Sequence, residues 1–121
     1  VWWRMAQQDH DRRIDYIELP VDDVGVAKAF YGAVFGWKFT DYGPDYASFE
    51  DGRLAGGFEG GRTGMRGGAL VVIYATALEA VRDAVLLAGG TIVRETFDFP
   101  GGRRFHFTDP AGNELAVWSD V

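Results

Sequence analysis

Cysteine is absent from the 121-residue chain, and histidine occurs only at His10 and His106. The first absence excludes disulfide frameworks, thiolate zinc sites and cysteine nucleophiles; the second excludes multi-histidine metal centres. No run of Lys or Arg tracks a groove, and 12 basic against 18 acidic residues leave a net charge of -6. Nucleic acid is therefore not an expected partner. The longest apolar run, Ala69 to Ala75, is far short of the roughly 20 residues that span a bilayer, so no membrane segment is expected. The start, Val1-Trp2-Trp3-Arg4-Met5, has neither an apolar signal core nor a small-residue cleavage site, and Met5 is a candidate initiator. The expectation is a cytoplasmic protein with a flexible N-terminal segment over 1–13 and one domain over 14–121.

What is abundant is glycine, 17 residues beside 47% hydrophobic and 15% aromatic residues. Such a mixture is not low-complexity; the glycines punctuate short elements. In Ile14 to Val21 the residue types alternate with period two, setting Ile17, Leu19 and Val21 on one face and Tyr16 and Glu18 on the other. Asp22 and Asp23 can cap a helix whose apolar stripe is Val24, Ala27, Phe30 or Tyr31, and Val34, with Gly36 as its stop. Strands are expected over 37–42, 46–50 and 54–59, the last two joined by an Asp51-Gly52 turn.

After a glycine-rich connector, Gly60 to Gly68, the order repeats. Ala69 to Ala75 reads as a strand, Thr76-Ala77-Leu78-Glu79 as a capping box, and Leu78, Val81, Val85 and Ala88 as a buried stripe ended by Gly89-Gly90. Strands over 91–97, 103–108 and 114–118 follow, with an Asp109-Pro110-Ala111-Gly112 turn between the last two. An offset of 54 superposes Leu19 on Ile73, Val24 on Leu78 and Gly36 on Gly90; it widens to 58 and then 60 at the distal hairpin. The fold class expected is α+β: two βαβββ units, about 14–60 and 68–119, forming a curved, cup-like mixed sheet with helices on the outside. Parity turns Tyr16, Glu18, Leu70, Val72 and Tyr74 into the cup and Ile17, Leu19, Val71 and Ile73 under the helices. Such a cup suits a small ligand.

Val21-Asp22-Asp23-Val24, Ala29-Phe30-Tyr31-Gly32-Ala33-Val34-Phe35-Gly36-Trp37 and Phe107-Thr108-Asp109-Pro110-Ala111-Gly112-Asn113-Glu114-Leu115 together resemble the vicinal oxygen chelate superfamily, the group of glyoxalase I, bleomycin-resistance proteins and extradiol dioxygenases. The resemblance covers about 14–119 and implies paired βαβββ units, a homodimer, and, in the enzymes, a divalent metal held from the first and last strand of each unit. Carried over residue by residue, those ligand positions are Tyr16, Leu70, Ala116 and, by the repeat, Gly56. Leu, Ala and Gly carry no donor and a phenol is a rare ligand, so the usual metal site is not expected. Glu18, Glu114 and His106 form an alternative set suited to Fe(II) or Mn(II), with Glu18 and Glu114 alternatively at the rim, solvated or paired with Arg103 or Arg104.

The preferred expectation is metal-independent binding of a small apolar or aromatic ligand, without cofactor, in the manner of the bleomycin-resistance branch. Its ligand-binding residues are Tyr16, Glu18, Phe58, Leu70, Val72, Arg104, His106 and Trp118, with no catalytic residue assigned. The aromatic residues among them, and Tyr74, fit equally a core between sheets or an interface with a second chain. The competing expectation is a glyoxalase-type lyase, isomerase or dioxygenase with a displaced metal. The connector reads as a mobile link or pocket lid rather than a phosphate loop.

Overall fold

The computed structural model describes residues 8–9, 11–12 and 14–121; most of the expected N-terminal segment, including Met5 and His10, lies outside the described residues. The order is β1 (Tyr16–Pro20), α1 (Val24–Phe35), β2 (Lys38–Asp41), β3 (Tyr46–Glu50), β4 (Ala55–Glu59), β5 (Val71–Tyr74), α2 (Leu78–Leu87), β6 (Thr91–Phe99), β7 (Gly102–Thr108) and β8 (Glu114–Ser119). These elements make two βαβββ units of the α+β class. Each unit is a separate four-stranded sheet, ordered β1-β4-β3-β2 and β5-β8-β7-β6, with its first strand parallel to its last and the remaining pairs antiparallel. No helix among the described residues is long and apolar enough to cross a membrane.

Helix α1 begins where Asp23 accepts a hydrogen bond from Val26 N–H and ends at Gly36, whose φ of 71° is left-handed, a conformation that costs L-residues a steric penalty. Helix α2 departs from the expected capping box. It starts at Leu78 with Ala77 as its cap residue and no side-chain cap. The Glu79 carboxylate is instead held by the Arg103 guanidinium, and a charge-assisted bidentate pair outcompetes a neutral cap.

One hydrophobic core serves both units. It joins Leu19, Phe49 and Phe58 of the first sheet to Phe105, Phe107, Leu115 and Val117 of the second through Phe30, Tyr31, Leu78 and Val85 of the helices. Within α1, Tyr31 stacks on Phe58, ring centres 5.3 Å apart, while Phe30 meets Phe107 at 6.0 Å. Each such ring buried from water contributes about 1.5–3 kcal/mol. The alternation expected for β1 and β5 holds: Leu19 is buried and Ile17, Val71 and Ile73 pack on the core, whereas Tyr16, Val72 and Tyr74 are exposed.

The Gly60–Gly68 connector is docked rather than hanging over a pocket. Gly64 N–H donates to Ala111 O, Glu114 N–H donates to Met65 O, and Asn113 Oδ1 accepts from Met65 N–H. A Cβ at Gly64 would strike the Ala111 carbonyl, so glycine is what lets the connector lie against the β7–β8 turn.

Candidate functional site

The open face of the second sheet, opposite the helices, is aromatic and cationic. Register sets Val72 beside Ala116, Tyr74 beside Trp118, Trp118 beside Arg104, and Arg104 beside Phe97. Side chains paired across neighbouring strands share a face, and two-residue alternation adds Leu70, His106 and Phe99 to it. Leu70, Val72 and Tyr74 are 37%, 43% and 47% exposed, an apolar strip on a strand paired on one side only. Tyr74 meets Trp118 edge-on at 5.1 Å, and Phe99 lies 6.2 Å from Trp118. The Arg94 guanidinium sits 3.7 Å from the centre of Phe97, where β6 twice breaks register with β7. Bulges of this kind re-aim side chains beside binding sites.

At one end of this face lies a polar relay. His106, only 7% exposed, has Nδ1 2.8 Å from Glu114 Oε2, and Glu114 Oε1 accepts from Arg66 Nε at 3.1 Å. The hydrogen bond from His106, then that from Arg66, holds the Glu114 carboxyl below the usual carboxylate range. An ionised Glu114 is acceptor-only, so His106 carries its proton on Nδ1 and presents Nε2 outward from the pair. That Nε2 and the Nε of Arg104 are buried with no hydrogen-bond partner among the described residues.

The open face of the first sheet is polar. Tyr46 donates to Glu18 Oε2 at 2.9 Å, and the Tyr16 and Tyr46 hydroxyls lie 2.6 Å apart. Because the Tyr46 proton goes to Glu18, Tyr16 is the donor between the two phenols. Desolvation, followed by the bonds to Tyr16 and Glu18, raises the Tyr46 phenol well above its ordinary range.

Most of the expected ligand residues reach an open face: Tyr16 and Glu18 on the first sheet, Leu70, Val72, Arg104, His106 and Trp118 on the second. Phe58 does not. It is fully buried among Tyr31, Phe39 and Phe49. The cause is a one-residue difference in the repeat. Glu18 pairs with Gly57 as Val72 pairs with Ala116, so the last strands superpose at an offset of 59 rather than 60. A one-residue slip exchanges the faces of a strand. The counterpart of Ala116 is therefore Gly57, that of Trp118 is Glu59, and Gly56 faces the core, where a Cβ would strike the Phe49 ring and the Ile17 carbonyl.

The metal site of the resembling enzymes does not fit these residues. Tyr16 is engaged with Tyr46, Leu70 and Ala116 bring no donor, and Gly57, the corrected fourth position, has none either. Of the alternative set, His106 and Glu114 meet but Glu18 lies on the other sheet, bound to Tyr46. Among the described residues no three His, Asp or Glu converge as a metal cluster. The expected pairing of either glutamate with Arg103 or Arg104 is replaced by Arg66 for Glu114 and by Tyr46 for Glu18, while Arg103 is taken by Glu79.

Sequence reasoning passed over Tyr46, Phe97, Phe99, Arg94 and Arg66. Phe97 and Phe99 had a readable signal, since their i, i+2 spacing puts both rings on one face of a strand. Arg66 had none, because its role depends on where the connector docks.

The Glyoxalase/Bleomycin resistance protein/Dioxygenase superfamily model matches residues 13–117. A relative, the anthracycline biosynthesis protein DauV from Streptomyces sp. (strain C5), is 33% identical over 111 residues, covering 86% of this chain. The chain spans only 40% of that protein's length. The fold is shared with a glyoxalase/bleomycin resistance protein/dioxygenase family enzyme from Burkholderia phytofirmans PsJN (TM-score 0.76, 18% identity, 89% of this chain and 100% of the other). It is shared too with lactoylglutathione lyase from Agrobacterium tumefaciens (0.71, 21%, 89% and 93%) and TioX from Micromonospora sp. ML1 (0.70, 19%, 88% and 98%). With two βαβββ units in place and the family model spanning both, the chain belongs to the Glyoxalase/Bleomycin resistance protein/Dioxygenase superfamily.

Proposed function

We propose that this protein binds a small aromatic ligand without a metal ion, in a cup completed by a second copy of the chain. The observation that carries the reading is the open face of the second sheet, where Tyr74, Trp118, Phe97 and Phe99 offer ring surface beside two arginines. Flat apolar molecules stack on such surfaces, and the arginines add attraction to electron-rich rings. Three of the family's four metal positions, Leu70, Ala116 and Gly57, carry no donor and the fourth, Tyr16, is engaged with Tyr46, which favours sequestration over metal chemistry. The name of the DauV relative, which places it in anthracycline biosynthesis, supports a polycyclic aromatic as the ligand class.

The homodimer is part of the same proposal. Strands β1 and β5 are each paired on one side only, and the face of β5 keeps its apolar side chains in water. Glu18, Glu50 and Glu59 share the open face of the first sheet, while Arg94 and Arg104 share that of the second. Setting the first sheet of one copy against the second sheet of another brings opposite charges together and covers the β5 strip.

Titration with doxorubicin, an anthracycline, after exhaustive EDTA treatment tests the reading, with light scattering for the oligomeric state. Saturable quenching of protein fluorescence by a dimer is expected. Binding that returns only with added Mn, Fe, Ni, Co or Zn would replace sequestration with the displaced-metal enzyme, and a monomer that binds equally well would remove the shared cup.

A further inference from the structure

Arg12, Arg62, Arg66, Arg82 and Arg103 each stand beside a carboxylate. Arg94 and Arg104 have no such partner among the described residues, although acidic residues outnumber basic ones by 18 to 12 in the chain. Both lie on the open face of the second sheet and converge on one ring. The guanidinium carbon of Arg94 is 3.7 Å from the centre of Phe97 and that of Arg104 is 5.3 Å from it, with Phe99 5.8 Å from Arg104. Arg104 is half-buried, and its Nε is closed off from water with no hydrogen-bond partner among the described residues. A cation partly withdrawn from water without a counter-charge is costly, and contact with a ring face returns only part of that cost.

The carboxylates nearby are committed elsewhere. On β6, Glu95 forms a bidentate pair with Arg82 of α2. Asp98 is in register with Arg103, on the face opposite to that shared by Phe97 and Arg104. Glu114 is held by His106 and Arg66. On the first sheet, which the proposed dimer sets opposite, Glu18 accepts from Tyr46 and Glu59 from Arg62. The charge of Arg94 and Arg104 is thus left for an anion that arrives with the ligand.

We propose that Arg94 and Arg104 anchor an aromatic carboxylate, with Phe97, Phe99 and Trp118 receiving its flat body. This rests on the ligand-binding reading above and names the chemical class within it. A carboxylate conjugated with an aromatic ring lies in the plane of that ring, and its two oxygens match the donor edge of a guanidinium. Stacking and ion pairing therefore act on the same flat molecule. Arg94 is exposed and belongs to the bulged part of β6; swinging off Phe97, it yields the ring to the ligand and keeps its charge beside the carboxylate.

The test compares 2-naphthoate with 2-naphthamide, which has nearly the same shape and no charge, by calorimetric titration of the full chain at pH 7. The unaltered protein is expected to bind the naphthoate about tenfold more tightly, the discrimination that one charge-assisted contact supplies. Arg104→Met, which keeps the aliphatic stem, is expected to cut that preference to about twofold or less, and Arg94→Met to about threefold. Arg53, an exposed arginine between β3 and β4 and so remote from this face, supplies the control: Arg53→Met removes the same charge and should leave the preference at about tenfold. Arg94→Met, a change at an exposed side chain, keeps the test decisive if Arg104→Met does not fold. A naphthoate bound no more tightly than the amide overturns the anchor and leaves aromatic binding standing. The same holds for a preference that survives both anchor substitutions, or one that Arg53→Met lowers as much as they do. Failure of both compounds to bind overturns the anchor together with the reading it rests on.

Discussion

The Tyr31 hydroxyl of α1 donates to Asp109 Oδ2 at 2.8 Å, joining residues 78 apart in the chain and in different halves of the molecule. Asp109 also accepts from the backbone N–H groups of Ala111 and Asn113 and from Asn113 Nδ2, which itself donates to Pro20 O at the end of β1. One carboxylate thus shapes the β7–β8 turn and locks it to the first unit. Tyr31→Phe is expected to destabilise the fold by about 1–3 kcal/mol, since it leaves one buried acceptor short of a donor. Asp109→Ala should cost more, because it leaves the tyrosine hydroxyl and two turn N–H groups without their acceptor. Urea denaturation of the two variants checks the order.

Two groups set opposite limits on stability with pH. Burial, followed by the charge and hydrogen bond of Asp109, raises the Tyr31 phenol well above its ordinary value of 10.0. A raised folded-state value means that stability is fully present below pH 10 and declines above it, as the unfolded chain ionises and the folded one resists. The Glu114 carboxyl is lowered from 4.5, first by His106 and then by Arg66. Its contribution is present above pH 4.5 and is lost as pH falls through the folded value. Melting temperatures across pH should therefore fall at both ends. Tyr31→Phe should flatten the alkaline limb, and Glu114→Gln the acid limb.

Local signals carried most of the fold. The alternation in β1 and β5, the Asp23 cap, the Gly36 stop and the turn at Asp109 all depend on residues near in sequence, and each is present. The site was less legible because it depends on register. The repeat counted through the distal hairpin was one residue too long at β4, which moved Phe58 onto the ligand face in expectation while it packs beneath α1 in the structure. Thr76 and Glu79 spelled a capping box, yet Glu79 is drawn to Arg103, a partner 24 residues away. The Arg66–Glu114–His106 relay spans the connector, β8 and β7, and no spacing in the sequence encodes that meeting.

Two adjacent glycines in β4 test the corrected register. A Cβ at Gly56 would press on the Ile17 carbonyl and the Phe49 ring, that is, on backbone and core. One at Gly57 would meet the hydroxyl ends of Tyr46 and Tyr16 on the open face, which swing away at the loss of their hydrogen bond. Gly56→Ala is expected to destabilise by about 1–3 kcal/mol, the usual range for overpacking. Gly57→Ala should cost less and should release Tyr46, seen as a phenol that titrates closer to its ordinary range by ultraviolet absorbance. Equal destabilisation by the two substitutions would contradict the assigned faces.

Phe58 and Trp118 make the sharpest contrast, since a wrong repeat register pairs them and the structure separates them. Phe58 is fully buried against three aromatic rings, so Phe58→Leu should lower stability by about 1–3 kcal/mol through lost packing. Its effect on ligand affinity should be small, because no atom of it borders the open face. Trp118 lies on that face between Tyr74 and Phe99, and Trp118→Leu should weaken binding of a flat aromatic by about tenfold, roughly one stacking contact plus the buried ring surface. Its own cost in stability should be the smaller of the two. Measuring both quantities for both variants separates a core ring from a ligand ring. If Phe58→Leu reduced affinity as much as Trp118→Leu at equal stability, the ligand would have to enter between the sheet and α1, and the open face of the second sheet would lose its claim to the site.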